Sequence, residues 1–313
     1  ELYFTDPANP LSAQGSGGPD GPLAKAIDNA KLSIDVAAYS LSLNSVRYAL
    51  INSYKRGVVV RMVMESTNMD RSDPQALIAA GIPIIGDKQP GLMHDKFMVI
   101  DKSEVWLGSM NFTDSGTYED NNNMMRILST KIAEDYSADF KLMFEDQKFG
   151  PDKVDTVPNP TVTIDGTKLD IYFSPNGGIL DALAALLSNA RESIYFLAFS
   201  YTSNDLGAIV RQKYKDGLTI EGVMDEGQVS SNQGTEYDPF LQAKMQVRLD
   251  GNPGLLHHKV FIVDGKIVAF SSYNFSQSAE TKNDENLIII YNEAIAQQFI
   301  REFQRVWKVA HAN

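Results

Sequence analysis

The sequence predicts an α/β fold made of two tandem α/β/α repeats, and three observations carry that reading. A block of residues recurs at a constant offset of 163: His94, Lys96, Asp101, Ser109 and Asn111 return as His257, Lys259, Asp264, Ser272 and Asn274. Apolar runs of strand length alternate with stretches of helical period in both halves. Glycines stand where helices should stop, as at Gly57 and Gly217. A lone His-x-Lys says little, since roughly one is expected by chance in a chain of this length. Two copies that keep Asp, Ser and Asn in one register do not arise that way.

Taken in order, the duplication extends well beyond the motifs. Leu2 to Pro7 is echoed by Ile171 to Pro175. A polar Gly/Ser/Pro loop from Ser12 to Gly21 follows in the first half, and only Asn176 to Gly178 in the second. Helical periods cover Pro22 to Lys31 and Gly178 to Arg191, then buried strands Leu32 to Ser40 and Ile194 to Ser200. Second helices, Ser45 to Arg56 and Asp205 to Asp216, lead to apolar strands Val58 to Glu65 and Thr219 to Asp225. Residues 226–239 are polar, contain Gly and have no period, so a solvated loop is expected, with a mobile rim over a site as the functional alternative. The motif strands Lys96 to Asp101 and Lys259 to Asp264 come next, with returning strands at Glu104 to Leu107 and Lys266 to Phe270. Period-2 geometry sets each His and Lys on one face of its strand. A strand (Met124 to Leu128, Leu287 to Tyr291) and an amphipathic helix (Lys131 to Glu145, Glu293 to Lys308) close each half. The repeats are expected at residues 1–148 and 169–313, joined by a Pro-containing connector at 149–168.

The 313 residues suffice for two such units, and at 43 % hydrophobic a packed core is feasible in both. No run of 18 apolar residues exists, so no transmembrane segment is expected. Cysteine is absent, which removes disulfides, thiol catalysis and Cys-ligated zinc. The net charge of −12 argues against tight, non-specific binding of long duplexes but leaves room for a locally basic cleft. The chain begins at Glu1 rather than Met, and a secreted or periplasmic location is expected over a cytoplasmic one. Of the four histidines, His94, His257 and His258 lie in the duplicated motif; His311 is read as a solvated residue of the tail.

Imidazole is the side chain that is part neutral and part protonated near pH 7, so a pair can act as nucleophile and acid in one site. Two lysines, two asparagines and two serines around them would make a cage for a tetrahedral oxyanion such as a phosphate diester. One His would attack phosphorus and the other would protonate the leaving oxygen. Such a scheme needs no metal, and no dense carboxylate or Cys/His ligand set is present.

These residues resemble the phospholipase D superfamily. The two H-x-K-x4-D blocks, each followed after six residues by Gly108-Ser109-Met110-Asn111 or Ser271-Ser272-Tyr273-Asn274, cover the chain as an internal duplication. The tail of the second motif, Asn274 to Asn286, and the last helix ending Phe303 to Trp307 look most like the bacterial endonuclease branch. The resemblance implies a phospholipase D-like fold whose repeats pack about a pseudo-twofold axis, with the active site at their interface and a monomer expected, one chain acting as its own pseudo-dimer. It implies catalytic pairs His94/Lys96 and His257/Lys259, with His94 as nucleophile and His257 in acid–base work. Ser109, Asn111, Ser272 and Asn274 would line the phosphate. A residue 28 positions after each His would reach the opposite repeat's imidazole: Glu285 to His94 and Asn122 to His257, with Asp120 as the alternative should the register differ.

The implied activity is metal-independent phosphodiester hydrolysis through a phosphohistidine, without cofactor. The expected substrate is nucleic acid, DNA or RNA, single-stranded by preference. A phospholipid head group is the alternative, kept open by the apolar Pro90–Met93 and Pro253–Leu256 loops, and a catalytically weak nucleic-acid-binding member is the third. Asp101 and Asp264 are read as structural supports that cap the turn after each motif strand. His258 should point away from His257 into a structural or rim role. Met93, Met98, Met110, Met124 and Met125 read as core filler. Tyr39, Ser40, Ser200 and Tyr201 fit packing or substrate contact equally.

Overall fold

Each repeat folds as one sheet with helices on both faces, because its central strands are apolar on both sides. The structure, a computed structural model, describes residues 1–154 and 157–312. The first repeat runs β1 (Leu2–Phe4), α1 (Asp20–Asn29), β2 (Ser33–Ala38), α2 (Asn44–Lys55), β3 (Val59–Met64), α3 (Ser72–Ala79) and β4 (Ile84–Gly86). It closes with β5 (Lys96–Ile100), β6 (Glu104–Gly108), α4 (Asp114–Tyr118), β7 (Asn123–Leu128) and α5 (Thr130–Phe144). The second begins β8 (Thr161–Ile164), β9 (Thr167–Ser174), α6 (Ile179–Ser188), β10 (Ser193–Ala198), α7 (Asn204–Lys215) and β11 (Thr219–Met224). It continues α8 (Glu226–Ser231), α9 (Tyr237–Gln242), β12 (Gln246–Leu249), β13 (Lys259–Val263), β14 (Ile267–Ser271), α10 (Gln277–Thr281), β15 (Glu285–Tyr291) and α11 (Glu293–Val309).

The sheets have the orders β1-β7-β6-β5-β2-β3-β4 and β8-β9-β15-β14-β13-β10-β11-β12. They are the same sheet twice, with β8 added at one edge. β2–β3 and β10–β11 pair parallel, while each motif strand pairs antiparallel with the strand on either side. Side chains along the motif strands alternate between two cores. Phe97 and Val99 of β5, with Val260 and Ile262 of β13, enter a central cluster shared by both repeats. Met98 and Ile100 face the outer helices α1 and α2, and Phe261 and Val263 face α6 and α7.

α5 and α11 contribute Tyr136, Phe140, Phe299 and Phe303 to the central cluster. Tyr136 meets Phe173 at 5.0 Å and Phe4 meets Phe299 at 5.1 Å between ring centres, so each helix binds the opposite repeat. Burying such rings stabilises by about 1.5–3 kcal/mol each, which makes the two repeats one folding core. The five methionines around the first motif are all buried.

Four details depart from the sequence reading. Residues 226–239, expected as a loop, hold α8 and the start of α9; the Asp225 carboxylate caps α8 by accepting the Gln228 N–H, a signal too local for a periodicity reading. The expected connector contains β8, whose hairpin with β9 turns on Asp165 and Gly166, both at positive φ. Asp101 and Asp264 do not cap the turn that follows. Each sits inside its hairpin turn at positive φ, and its carboxylate accepts backbone N–H bonds from residues entering the central strand: Lys31, Leu32 and Ser33 for Asp101, and Arg191, Glu192 and Ser193 for Asp264. His311 pairs through its backbone with Leu249 on the edge of the second sheet, while its side chain stays half exposed.

Candidate active site

His94 and His257 lie two residues before β5 and β13, where each chain leaves its sheet and crosses to the other repeat. The His94 N–H donates to the Asp284 carbonyl and the His257 N–H to the Asn121 carbonyl, both at 2.9 Å. The rings are clasped crosswise as well. Glu285 Oε2 is 2.7 Å from His94 Nδ1, and Asn122 Oδ1 is 2.9 Å from His257 Nδ1. Each imidazole therefore gets its backbone anchor and its Nδ1 partner from the repeat it does not belong to.

The Asn122 amide is locked, since its Nδ2 donates to the Gly116 carbonyl and its Oδ1 accepts the Ser109 hydroxyl. Oδ1 must then face His257 as an acceptor, which puts a proton on Nδ1 and leaves Nε2 as the free nitrogen. With a proton on Nδ1 shared with Glu285, His94 likewise presents Nε2. Asp120 is not at the ring: its carboxylate accepts the Leu255 N–H.

Lys96 and Lys259 curl back so that Nζ donates to the carbonyl of their own His, at 2.6 and 2.7 Å. Lys96 lies 5.2 Å from the Tyr39 ring centre and Lys259 4.6 Å from that of Phe199. The same rings stand edge-on to His94 and His257 at 5.1 and 4.8 Å. Tyr201, by contrast, is buried among Phe196, Phe240, Phe261 and Phe275 as packing.

The serines differ from expectation. Both are fully buried, and their hydroxyls hold the groups that hold the histidines: Ser109 donates to Asn122 and accepts the Asn123 N–H, and Ser272 accepts the Asn286 N–H and bonds Glu285. Their backbone carbonyls face the imidazoles of the opposite repeat. Asn111 and Asn274 are half-buried, and each carries a buried Oδ1 with no hydrogen-bond partner.

Behind the rings a further layer was not singled out from sequence. Asn286 donates to Asp95 at 2.6 Å and Asn123 meets His258 Nδ1 at 2.8 Å, again crosswise. Both asparagines stand 163 residues apart, so the duplication itself was the signal. His258 is fully buried and not at a rim; its Nε2 bonds Glu302 at 3.0 Å.

Burial dominates the electrostatics. It holds His94 and His257 well below the usual imidazole range, with Lys96 and Lys259 pushing the same way. Burial brings Lys96 down to about 7 against the pull of Glu285 and Asp95, and it lowers Lys259 strongly, helped by Lys96. Burial lifts Glu285 to about 8, with the two lysines opposing. Two imidazoles, two amines and one carboxyl thus converge out of water, and an arriving anion would restore protons to the bases. Among the described residues no group of three or more His, Asp or Glu is arranged to hold a metal ion.

A family model described as "Cardiolipin synthase, PLD-like domain" matches this chain twice, over residues 23–144 and 183–307. The chain belongs to the phospholipase D superfamily. A phospholipase D from Rickettsia conorii is 37 % identical over 137 residues, covering 44 % of this chain and 68 % of its own. The human mitochondrial cardiolipin hydrolase is 32 % identical over 135 residues, covering 43 % of this chain and 53 % of its own. The chain spans about half the length of several curated relatives it matches. The crystal structure of a phosphatidylserine synthase from Haemophilus influenzae Rd KW20 has the same phospholipase D-like fold over 100 % of this chain and 87 % of its own, with a TM-score of 0.72 at 11 % identity. The doubled family match falls on the two halves of the internal duplication.

Proposed function

We propose that this protein is a metal-independent phosphodiesterase that cleaves nucleic acid through a phosphohistidine on His94. The observation that carries the chemistry is the unequal clasp on the two imidazoles, a carboxyl on His94 and a carboxamide on His257. In its ionised form, which Lys96 and Lys259 favour against burial, the Glu285 carboxyl facing Nδ1 raises the basicity of Nε2 and stabilises the positive charge that builds on the ring as it attacks. A neutral amide fixes the tautomer without that charge, which suits the group that must release a proton.

The His94 Nε2 lone pair forms a bond to phosphorus, and the ester P–O bond breaks. The leaving oxygen takes a proton from His257 Nε2, which the arriving phosphate anion has recharged while Nδ1 keeps its own proton toward Asn122. Water then attacks phosphorus as His257 Nε2 removes its proton, the P–N bond breaks, and a phosphomonoester leaves. Lys96 and Lys259 supply charge to the non-bridging oxygens, and the Nδ2 groups of the half-buried Asn111 and Asn274 supply donors to them.

Nucleic acid is favoured by what flanks the histidines. Tyr39 and Phe199, both part-exposed, offer ring faces for unstacked bases on either side of the scissile phosphate. The neighbouring segments are polar: Asn68 bonds the Tyr39 carbonyl, and Asn232 the Ser200 hydroxyl. A bilayer enzyme needs an apolar rim instead. The phospholipid reading keeps one specific support, the exposed pair Leu92 and Leu255 before the two motifs, besides the names of the curated relatives. Single-stranded DNA, duplex DNA, RNA and phosphatidylcholine or cardiolipin vesicles, each in excess EDTA, separate the readings. Strand cleavage with intact vesicles is the expected result. Head-group release with intact nucleic acid makes the protein a lipase, and turnover that returns only with added divalent metal overturns the mechanism.

A further inference from the structure

Beside the residue that follows each catalytic histidine lies a buried acid on the long helix of the same repeat, Asp139 on α5 near Asp95 and Glu302 on α11 bonded to His258, at equivalent positions of the duplication. In front of each clasping residue lies another equivalent pair, Asp284 before Glu285 and Asn121 before Asn122. A cation bridges both pairs, but the two cations are unrelated by the duplication. In the second repeat's helix, Arg305 donates to Glu302 at 2.7 Å and to Asn121 Oδ1 at 2.7 Å. The first repeat has Leu142 at that position. Its cation is Lys153, from the segment joining the repeats, with Nζ 2.6 Å from Asp139 and 3.2 Å from Asp284.

The bridged residues bear directly on the imidazoles. Asp284 accepts the His94 N–H through its carbonyl, donates its N–H to Leu92, and is followed by Glu285. Its side chain is fixed on all sides, by Lys153, by the Gly150 N–H at 2.8 Å and by Gln89 at 2.8 Å. Asn121 accepts the His257 N–H, donates to Leu255 and is followed by Asn122. The acids around Lys153 are Asp95, Asp139 and Asp284, three buried carboxyls beside one ammonium. Around Arg305 the groups are Glu302, Asp6 and His258, nearer to balance.

We propose that Lys153 is a positioning residue for the His94–Glu285 pair, and Arg305 the separate positioning residue for the His257–Asn122 pair, so that the linker between the repeats tunes one half of the site without the other. Removing the ammonium leaves Asp284 held only by Gly150 and Gln89 and frees the Leu92–His94 crossing that Asp284 anchors. The His94 ring then loses its fixed approach, and a displacement on the scale of an ångström costs roughly tenfold to a hundredfold in the step His94 performs.

The test uses the full chain with K153M, K153R, R305M and R305K, and reads two things. In stopped-flow assays with bis(p-nitrophenyl) phosphate, whose leaving group needs no proton, the burst reports attack by His94 and the later phase reports hydrolysis assisted by His257. K153M should slow the burst at least about tenfold and leave the later phase within about twofold, R305M should do the reverse, and K153R and R305K should recover most of each loss. Imidazole 15N and ring-proton signals, assigned with the single His variants, should move for His94 in K153M and for His257 in R305M. That arm stands even where no ester is turned over, whereas the kinetic arm rests on the phosphodiesterase reading. The double variant K153M/D139L removes cation and facing acid together and guards against misfolding of the single change. Equal slowing of both phases, movement of both rings, or a folded K153M or double variant with an unmoved His94 signal each overturns the proposal.

Discussion

The two half-sites anchor their histidines and lysines alike and differ in several of the polar and charged groups one layer back. Lysine to own-histidine carbonyl is 2.6 Å on one side and 2.7 Å on the other, and both histidine N–H bonds to the opposite repeat are 2.9 Å. Yet Glu285 stands where the other half has Asn122, Asp95 where it has His258, and Asp139 with Lys153 where it has Glu302 with Arg305. A duplicated backbone supplies two equivalent places for an imidazole. Only the residues one layer back can make one imidazole a nucleophile and the other an acid.

The largest effect separates the two histidines themselves. H94A and H257A should each lower turnover of a natural diester by at least about 10³-fold. With a p-nitrophenyl ester they should part: H257A accumulates acid-labile phosphoprotein and H94A forms none, as phosphate-specific mass spectrometry on base-quenched samples would read. Adduct in H94A reverses the assignment.

The clasp comes next. E285Q keeps the shape but removes the carboxylate, and should slow the His94 step on the order of 10²-fold, whereas N122D should change turnover less than about tenfold. N122D should also move the alkaline limb of the pH–rate profile upward, because a new carboxylate holds the His257 proton longer. Equal effects at both positions would abolish the distinction between the half-sites.

A smaller effect concerns charge. In the free protein Lys96 titrates near 7, below the ordinary lysine range. Between pH 7 and the unfolded value the unfolded chain carries a proton that the folded one lacks, so this group makes stability rise with pH across that window. An oxyanion returns the proton to Lys96. Tungstate or inorganic phosphate should therefore raise Tm more at pH 6 than at pH 9, and K96M should flatten the difference.

The smallest effect tests the frame. Ser271 donates to Asn286 Oδ1, which Tyr136 also reaches at 3.1 Å, while Asn123 Oδ1 has no partner because Gly108 and Phe299 stand at the matching positions. S271A should cost about 1 kcal/mol in urea unfolding with little change in rate. The reverse change, G108S, is not tolerated for a local reason: a Cβ there would lie 2.3 Å from the Asn123 carbonyl oxygen.

The duplication, the order of strands and helices and the pairing of motif residues were legible in the chain, because each depends on residue identity at fixed spacing, whereas Glu285 and Asn122 were singled out only through the family resemblance. A constant offset of 163 carries that information whatever the fold does with it. Short helices such as α8 and the β8–β9 hairpin were not read, since six residues hold too little period, although Asp165-Gly166 was a usable turn signal. The partners of Ser109 and Ser272, the burial of His258, and the part taken by Lys153 were decided by tertiary structure alone. Nothing in the spacing of Lys153 links it to Asp284, 131 positions away by subtraction of their numbers, and the two meet only in the folded chain, with Nζ 3.2 Å from the Asp284 carboxylate. Sequence fixes which groups exist and in what repeat; packing around the pseudo-twofold axis decides which of them lose water together, and that loss of water, common to both halves, strengthens the few unequal contacts around each imidazole.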